Sequence, residues 1–180
     1  TECGPLVSVN RNEANRLDSV GLISANREVK LVNGEILVRG KNLMTGYYNH
    51  PEMTEEAIQD GWFCTGDLGE IDKDGFLHIT GRKKNLICLS NGKNVAPEEL
   101  EDQLMKIEYV KEVLVYGEND VINAEFFLDE TLCENAKEQI KKDVDEFNRT
   151  LPLYKRIRVI KTRDTEFPKT TTLKIKREYK

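Results

Sequence analysis

Two short runs of residues joined by a polar turn constrain the fold of this chain more than any other feature. Leu68–Ile71 and Phe76–Ile79 flank Asp72-Lys73-Asp74-Gly75, which is the pattern of an antiparallel hairpin. Asp67 precedes the first run and Arg82 follows the second, each directly after a glycine. The sequence therefore predicts that Asp67 and Arg82 lie side by side at the open end of a hairpin.

The residue types at that open end suit a sugar-phosphate ligand. An ionised carboxylate such as Asp67 accepts hydrogen bonds from two neighbouring hydroxyls, for example a ribose 2′,3′-diol. The planar guanidinium of Arg82 donates to phosphate and ribose oxygens. Alone, the two residues leave the choice open, because Thr-Gly-Asp is a common turn and a strand-end arginine is usually a solvated charge.

Hairpins extend over the first part of the chain. Asn33-Gly34 lies between two apolar runs and predicts a two-residue hairpin turn. Pro51 suits the first turn of a short helix, which Gly61 would end. The pattern changes at Lys83–Asn85, and beyond it strands alternate with helices.

The second part of the chain predicts a small mixed domain. Pro97 begins a helix with an apolar face, and 110–116 and 121–128 read as strands. Thr131–Glu134 has the pattern of a capping box and predicts the start of a second helix. The tail from Thr165 has no strand or helix period and predicts a loop. The predicted fold class is α/β (α+β): a β-rich hairpin subdomain followed by a small mixed α/β domain.

Composition narrows the class of protein. The chain is 38% apolar and 33% charged, which is typical of a soluble globular protein. We see no run long enough to span a membrane and no secretory signal, and four scattered cysteines without a Cys-x-x-Cys pair suit the reducing cytoplasm. With only two histidines, a zinc site is not expected. A basic stretch from Leu153 onward lacks the interleaved aromatic residues of single-strand binders, so no nucleic acid partner is predicted.

Five motifs follow one another along the chain. They are Gly34–Gly40, Gly46–Asn49, Gly61–Gly69, Gly81–Asn85 and Pro168–Arg177. Together they resemble the adenylate-forming superfamily, which includes acyl-CoA synthetases, peptide-synthetase adenylation domains and luciferase. The resemblance implies three parts: residues 1–82 as the β-rich end of the large adenylation domain, 83–85 as a hinge, and 86–180 as a mobile C-terminal α/β lid domain.

The resemblance implies a nucleotide site near the hairpin. Thr1 would touch the α-phosphate of ATP and Glu2 would hold Mg²⁺, although residues at a chain end are expected to fray. Asp67 would hold the ribose, and Arg82 ribose or phosphate oxygens.

The resemblance also assigns roles in the second part of the chain. Lys84 matches the hinge position, and Gly92 would lie beside the pantetheine path of coenzyme A. Lys174 would be the catalytic lysine, carried on a flexible segment and stabilising charge when a carboxylate attacks the α-phosphate. Leu173 stands where the family usually has glycine, which puts that flexibility in question.

The implied reaction is that of an AMP-forming acid–thiol ligase. ATP and a carboxylic acid give an acyl-adenylate and pyrophosphate, and the thiol of coenzyme A then displaces AMP. The run from Gly81 to Glu101 looks most like bacterial long-chain fatty acyl-CoA ligases, which indicates a fatty acid substrate.

The sequence also leaves alternatives to this reading. The chain begins at Thr1 without methionine, so we expect the C-terminal part of a longer protein, inactive alone because the family's acyl pocket and phosphate loop lie upstream. A ligase that loads an acyl carrier protein, an amino-acid adenylation domain and a non-catalytic α/β binding module stay open, as does peripheral contact with a membrane.

Overall fold

The computed structural model describes residues 1–177, and the chain divides into two compact units, Thr1–Lys84 and Asn85–Lys180. The first unit is built mainly of antiparallel strands, and the second mixes strands with helices. This arrangement confirms the predicted α/β fold class. Within residues 1–177 no helix is long and apolar enough to cross a membrane.

A twisted antiparallel sheet forms most of the first unit. In the described residues its elements are β1 (Ser8–Val9), β2 (Gly21–Ile23), β3 (Glu28–Val32), β4 (Glu35–Arg39), α1 (Pro51–Ala57), β5 (Ile58–Gln59), β6 (Trp62–Ile71) and β7 (Phe76–Arg82). The strand order is β1-β2-β7-β6-β4-β3, and β5 pairs with β6 at one end. The long strands β6 and β7 therefore lie at the centre of the sheet.

Turn chemistry explains the hairpin β3–β4. Asn33 and Gly34 both have positive φ, at 52° and 82°, as a tight two-residue hairpin turn requires. The apolar core beneath the sheet is small and centres on Ile36, Val38 and Leu77, each at most 3% exposed. The predicted hairpin at Asn33-Gly34 is therefore confirmed.

The pairing of β6 with β7 contains a β-bulge. Gly69 pairs with Ile79, whereas Leu68 pairs with Gly81, so Thr80 is an extra residue on β7. Beyond the bulge, Asp67 lies directly opposite Arg82.

A three-stranded sheet covered by helices forms the second unit. Its described elements are a 3₁₀ turn (Lys83–Asn85) that begins in the first unit, β8 (Ile87–Cys88), β9 (Asn94–Val95), α2 (Pro97–Leu104), β10 (Val110–Glu118), β11 (Val121–Leu128), α3 (Ala136–Thr150), a 3₁₀ turn (Leu153–Lys155) and β12 (Ile157–Arg163). β10 pairs antiparallel with β11, and β12 pairs parallel with β11 after the crossover through α3.

The core of the second unit is the larger of the two. One face of α3 buries Ala136, Ile140 and Val144 completely, at the four-residue spacing that the sequence predicts. Leu100 of α2 and Phe126 of β11 are also at most 1% exposed. These residues belong to one continuous apolar cluster.

Two local predictions were wrong. Thr131 does not cap α3: its hydroxyl and its N–H donate to the Asp129 carboxylate, and the helix begins after Asn135. Helix α1 ends at Ala57, before Gly61, because the chain turns into β5. The tail up to residue 177 contains no helix or strand, as predicted, although an isolated bridge closes a short hairpin there, as described below.

Candidate active site

The structure brings Asp67 and Arg82 together on one face of the sheet. The Nε of Arg82 lies 2.9 Å from Oδ1 of Asp67, and its Nη1 donates to the Thr65 carbonyl at 3.2 Å. The Asp67 side chain is 31% exposed and that of Arg82 is 47% exposed. A carboxylate and a guanidinium therefore stand side by side and accessible, as a ribose or phosphate ligand would require.

A distortion in β6 sets the position of Asp67. The residues Thr65-Gly66-Asp67 bulge out of the pairing with β4, and Gly66 takes a φ of 70° that favours glycine. The Thr65 hydroxyl donates to the Ile36 carbonyl at 2.7 Å and accepts from the Asp67 N–H at 3.0 Å. The Thr-Gly-Asp sequence thus has a local structural function.

Glu35 of β4 supports both motifs from beneath. It is 8% exposed, and its Oε1 accepts from the Gly66 N–H at 3.1 Å. Its Oε2 lies 2.7 Å from Nζ of Lys83, the residue after Arg82, and this hydrogen bond raises the pKa of Lys83. One buried carboxylate therefore holds the backbone beside Asp67 and the side chain beside Arg82.

A cavity of about 550 Å³ in the first unit is lined by all four residues of the predicted nucleotide site. These are Thr1, Glu2, Asp67 and Arg82. Another cavity, of about 700 Å³, is lined by none of the residues predicted from the sequence. The predicted nucleotide-site residues therefore meet at the smaller of these two cavities.

The start of the chain has specific contacts, although we expected fraying. The carbonyl of Glu2 accepts from the Met44 N–H at 2.8 Å, and its Oε1 accepts from the Tyr47 hydroxyl at 3.3 Å. A backbone hydrogen bond is the main cause that lowers the pKa of Glu2. An ionised carboxylate with a 37% exposed side chain fits Mg²⁺, which binds one or two carboxylates together with substrate phosphates.

The segment predicted as a hinge is fixed on both sides. Lys83 is paired with Glu35, and the side-chain amide of Asn85 donates to Glu98 Oε1 at 2.5 Å, within the second unit. Lys84 between them is exposed, and within residues 1–177 no hydrogen bond or ion pair of its ammonium is found. The boundary between the two units falls directly after Lys84.

Gly92 lies in an exposed turn that joins β8 to β9. Its φ is 77°, and a methyl group added there would meet no atom within 4 Å. The loop is held by Asp120, whose carboxylate accepts from the Ser90 N–H at 2.6 Å and from the Ser90 hydroxyl. The open space at Gly92 is compatible with the passage of a ligand chain.

Residues 168–176 form a short hairpin, which we call the lysine hairpin. Lys169 bridges Ile175, and the Lys176 N–H donates to the Pro168 carbonyl at 2.8 Å. The Thr170 N–H donates to the Lys174 carbonyl at 2.8 Å, closing a three-residue loop. The segment is thus a loop, as predicted, in which a turn with its own hydrogen bonds orders residues 168–176.

Lys174 lies at the tip of the lysine hairpin. It is exposed, and its ammonium has no hydrogen bond or ion pair with any part of the chain that the structure describes. Leu173 before it has a φ of 61° and is 79% exposed. This left-handed position of a hairpin loop favours glycine, which gives a physical reason for the family's usual residue.

Sequence reasoning missed the residues that support the site. Glu35 lies within the motif Gly34–Gly40, but no spacing rule indicates that its side chain turns inward. The Tyr47 hydroxyl contacts Glu2 across 45 positions, a contact that sequence patterns do not predict. Both are tertiary contacts. The only sequence signal for them is that Glu35 and Tyr47 each lie within one of the five motifs.

Comparison with known proteins gives a consistent result. A family model described as the AMP-binding enzyme C-terminal domain matches residues 84–179. The long-chain-fatty-acid–CoA ligase of Salmonella typhimurium is 43% identical over 129 residues, covering 65% of this chain and 23% of that protein. The long-chain-fatty-acid–CoA ligase FadD15 of Mycobacterium tuberculosis is 46% identical over 111 residues, covering 61% of this chain and 18% of that protein.

A solved structure has the same fold. The anthranilate CoA ligase AuaEII, in complex with anthranoyl-AMP, superposes with a TM-score of 0.80 and 30% identity. The superposition covers 92% of this chain and 34% of that one. The chain thus spans about a fifth of the length of these curated relatives and a third of the structural neighbour.

Proposed function

The chain belongs to the AMP-binding enzyme C-terminal domain family, and from this premise we propose that it carries part of an AMP-forming acid–CoA ligase. The full-length enzyme activates a carboxylic acid with ATP and transfers the acyl group to coenzyme A. A long-chain fatty acid is the proposed substrate, because the two curated relatives are named for it. The observation that carries the proposal is the pairing of Asp67 with Arg82 beside one cavity.

In the proposed nucleotide site, the paired side chains hold AMP or ATP by its sugar and phosphates. Asp67 accepts from the ribose hydroxyls, and Arg82 donates to ribose or phosphate oxygens. Thr1 contacts the α-phosphate, and Glu2 is the carboxylate available for Mg²⁺. When bound, the metal neutralises phosphate charge.

Lys174 acts in the first half-reaction. Attack of the substrate carboxylate on the α-phosphate increases negative charge at the phosphoryl oxygens, and a lysine ammonium stabilises that charge. Lys169 is a weaker candidate because Glu112 and Glu166 already bind its ammonium. Lys174 has no such competitor among residues 1–177.

The second half-reaction uses a different face of the same unit. We assign Lys84 as the pivot, since its neighbours Lys83 and Asn85 are each tied to their own unit while it is exposed. Gly92 then lies along the path of the coenzyme A thiol. Rotation at one residue would exchange the lysine hairpin for the Gly92 loop at the adenylate.

The proposal is tested by Lys174→Ala in the full-length protein that carries this chain. Exchange of pyrophosphate into ATP that depends on the carboxylic acid substrate should fall at least about a hundredfold, because one charge-stabilising donor is lost. Lys176→Ala removes a second exposed lysine of the same hairpin and should leave exchange unchanged. Equal exchange in the wild type and Lys174→Ala would refute the catalytic assignment and favour a binding module.

The acceptor and the acid are tested separately. Full-length protein is supplied with ATP, a panel of fatty acids and free coenzyme A, and thioester formation is followed by mass spectrometry. Acyl-CoA is the expected product. Release of acyl-adenylate without thioester would indicate an acyl carrier protein as acceptor, and exchange supported only by amino acids would indicate an amino-acid adenylation domain.

A further inference from the structure

Glu112 of β10 lies beneath the first leg of the lysine hairpin. It is 9% exposed and sits at an irregularity in the pairing of β10 with β11. Its Oε2 accepts from the Phe167 N–H at 2.7 Å, and its Oε1 lies 2.5 Å from Nζ of Lys169. One buried carboxylate thus binds both the backbone before the hairpin and a side chain within it.

The surroundings of Glu112 make this attachment firm. Phe167 is 5% exposed, and the guanidinium of Arg163 stacks on its ring with 4.1 Å to the centroid. Hydrogen bonds that the Lys169 ammonium donates to Glu112 and, with a smaller effect, to Glu166 raise the pKa of Lys169. The leg that leads into the hairpin is therefore held by a buried aromatic ring and a buried ion pair.

The second leg is held by another carboxylate, which is partly buried. The guanidinium of Arg177 pairs with Glu101 of α2 and donates to the Val115 carbonyl at 3.3 Å. Burial raises the pKa of Glu101, although Arg177 favours its ionised form. Both legs are thus fixed to the sheet and to α2, while the tip that carries Lys174 is exposed.

We propose that Glu112 is a positioning residue for Lys174, holding the base of the lysine hairpin so that the ammonium is presented at a defined place. This inference rests on the proposed function of Lys174. The ammonium of a long, rotatable lysine side chain is placed most accurately when the backbone that carries it is already fixed. Accurate placement matters because a misplacement of about 1 Å costs roughly a hundredfold in rate. Removing the charge of Glu112 should therefore affect the step that uses Lys174 and spare the step that uses the Gly92 loop.

Lys169 supplies a matched pair of variants. Its ammonium contacts the buried Glu112 and also Glu166, whose side chain is 65% exposed. Glu112→Gln and Glu166→Gln each remove one negative charge that faces the Lys169 ammonium, with almost no change in side-chain size. A difference between the two variants therefore reports the buried attachment and not the loss of an ion pair as such.

The test uses the full-length protein and measures two half-reactions. Glu112→Gln should slow carboxylate-dependent pyrophosphate exchange about tenfold or more, while thioester formation from synthetic acyl-adenylate and coenzyme A stays at the wild-type rate. Glu166→Gln should leave both rates unchanged. Hydrogen exchange of the peptide that contains residues 168–176 should accelerate in Glu112→Gln only.

Three results would overturn the inference. An equal loss of both half-reactions in Glu112→Gln would indicate a general structural role. A wild-type rate of pyrophosphate exchange in this variant would indicate that Glu112 has no role in positioning Lys174. Equal effects of Glu112→Gln and Glu166→Gln would also contradict it. If Lys174→Ala keeps full exchange, the proposed function fails instead, and hydrogen exchange still decides whether Glu112 orders the hairpin.

Discussion

Replacing Glu35 should separate the energy of a buried hydrogen bond from that of an exposed ion pair. Its Oε1 accepts from the Gly66 N–H, and its Oε2 pairs with Lys83, whose side chain is 63% exposed. A hydrogen bond to a charged group contributes about 1.5–3 kcal/mol. An exposed ion pair contributes only about 0–1 kcal/mol.

Three variants follow from these magnitudes. Glu35→Ala loses both interactions and the burial of its methylene groups, so it should lower the free energy of unfolding of the first unit by about 3–5 kcal/mol. Glu35→Gln keeps an acceptor for the Gly66 N–H and should cost about 1–2 kcal/mol. Lys83→Met should cost less than about 1 kcal/mol.

The single tryptophan provides a local assay. Trp62 lies in β6, and its ring centroid is 4.3 Å from the ammonium of Lys30 and 4.6 Å from the guanidinium of Arg39. Its fluorescence during urea denaturation therefore reports unfolding of the first unit. If Lys83→Met destabilises as much as Glu35→Ala, the ion pair dominates and the reasoning is wrong.

Two further predictions use the same Trp62 signal. The hydrogen bond that His78 donates to the Asp72 carboxylate raises the pKa of His78, so that contribution to stability is complete below about pH 6 and is lost as pH rises through the folded pKa; His78→Asn should flatten this dependence. Gly69→Ala should destabilise by about 1–3 kcal/mol, since its Cβ would lie 2.3 Å from the His78 carbonyl oxygen and 2.7 Å from Ile36 Cδ1. A pH profile unaltered in His78→Asn, or a Gly69→Ala midpoint equal to wild type, would contradict them.

Low pH should also reduce the stability of the first unit through Asp72, in the turn that joins β6 to β7. Burial alone would raise the pKa of Asp72, but hydrogen bonds from His78 and from the backbone N–H groups of Phe76 and Asp74 outweigh it and lower that pKa to about 2. The stability that Asp72 contributes is present above its unfolded pKa and is lost as pH falls towards about 2. Asp72→Asn should remove this acid-dependent loss in a urea titration below pH 4.

Local rules predicted the elements that depend on local chemistry. Asn119 and Asp120 both have positive φ, as a two-residue turn between two strands requires, and α3 follows its apolar spacing. The capping box predicted at Thr131 does not form because the carboxylate of Asp129, two residues earlier, binds the Thr131 hydroxyl. Propensity carries no information about such a competitor outside the four-residue pattern.

The residue types of the site and the pairing of Asp67 with Arg82 were predictable from the sequence. The supports Glu35 and Glu112 were not, because they are buried carboxylates whose partners lie 31 to 57 positions away. The turn within the lysine hairpin was not predicted because the segment has no alternating apolar pattern and the turn depends on hydrogen bonds within residues 168–176. The roles of the site residues and the hinge stay predictions for the experiments above.

The position of the Arg82 guanidinium opposite Asp67 depends on how β7 accommodates its extra residue, Thr80. If the regular ladder from Ile71–Leu77 to Gly69–Ile79 continued, Asp67 would oppose Gly81, and Arg82 would point to the other side of the sheet. A chain that kept Thr80 but paired it in the regular ladder would therefore preserve every motif residue and still separate the two charges, whereas deleting Thr80 would leave Asp67 opposite Arg82 without a bulge. In chains that share this design, the bulge should therefore be present wherever the extra residue is present.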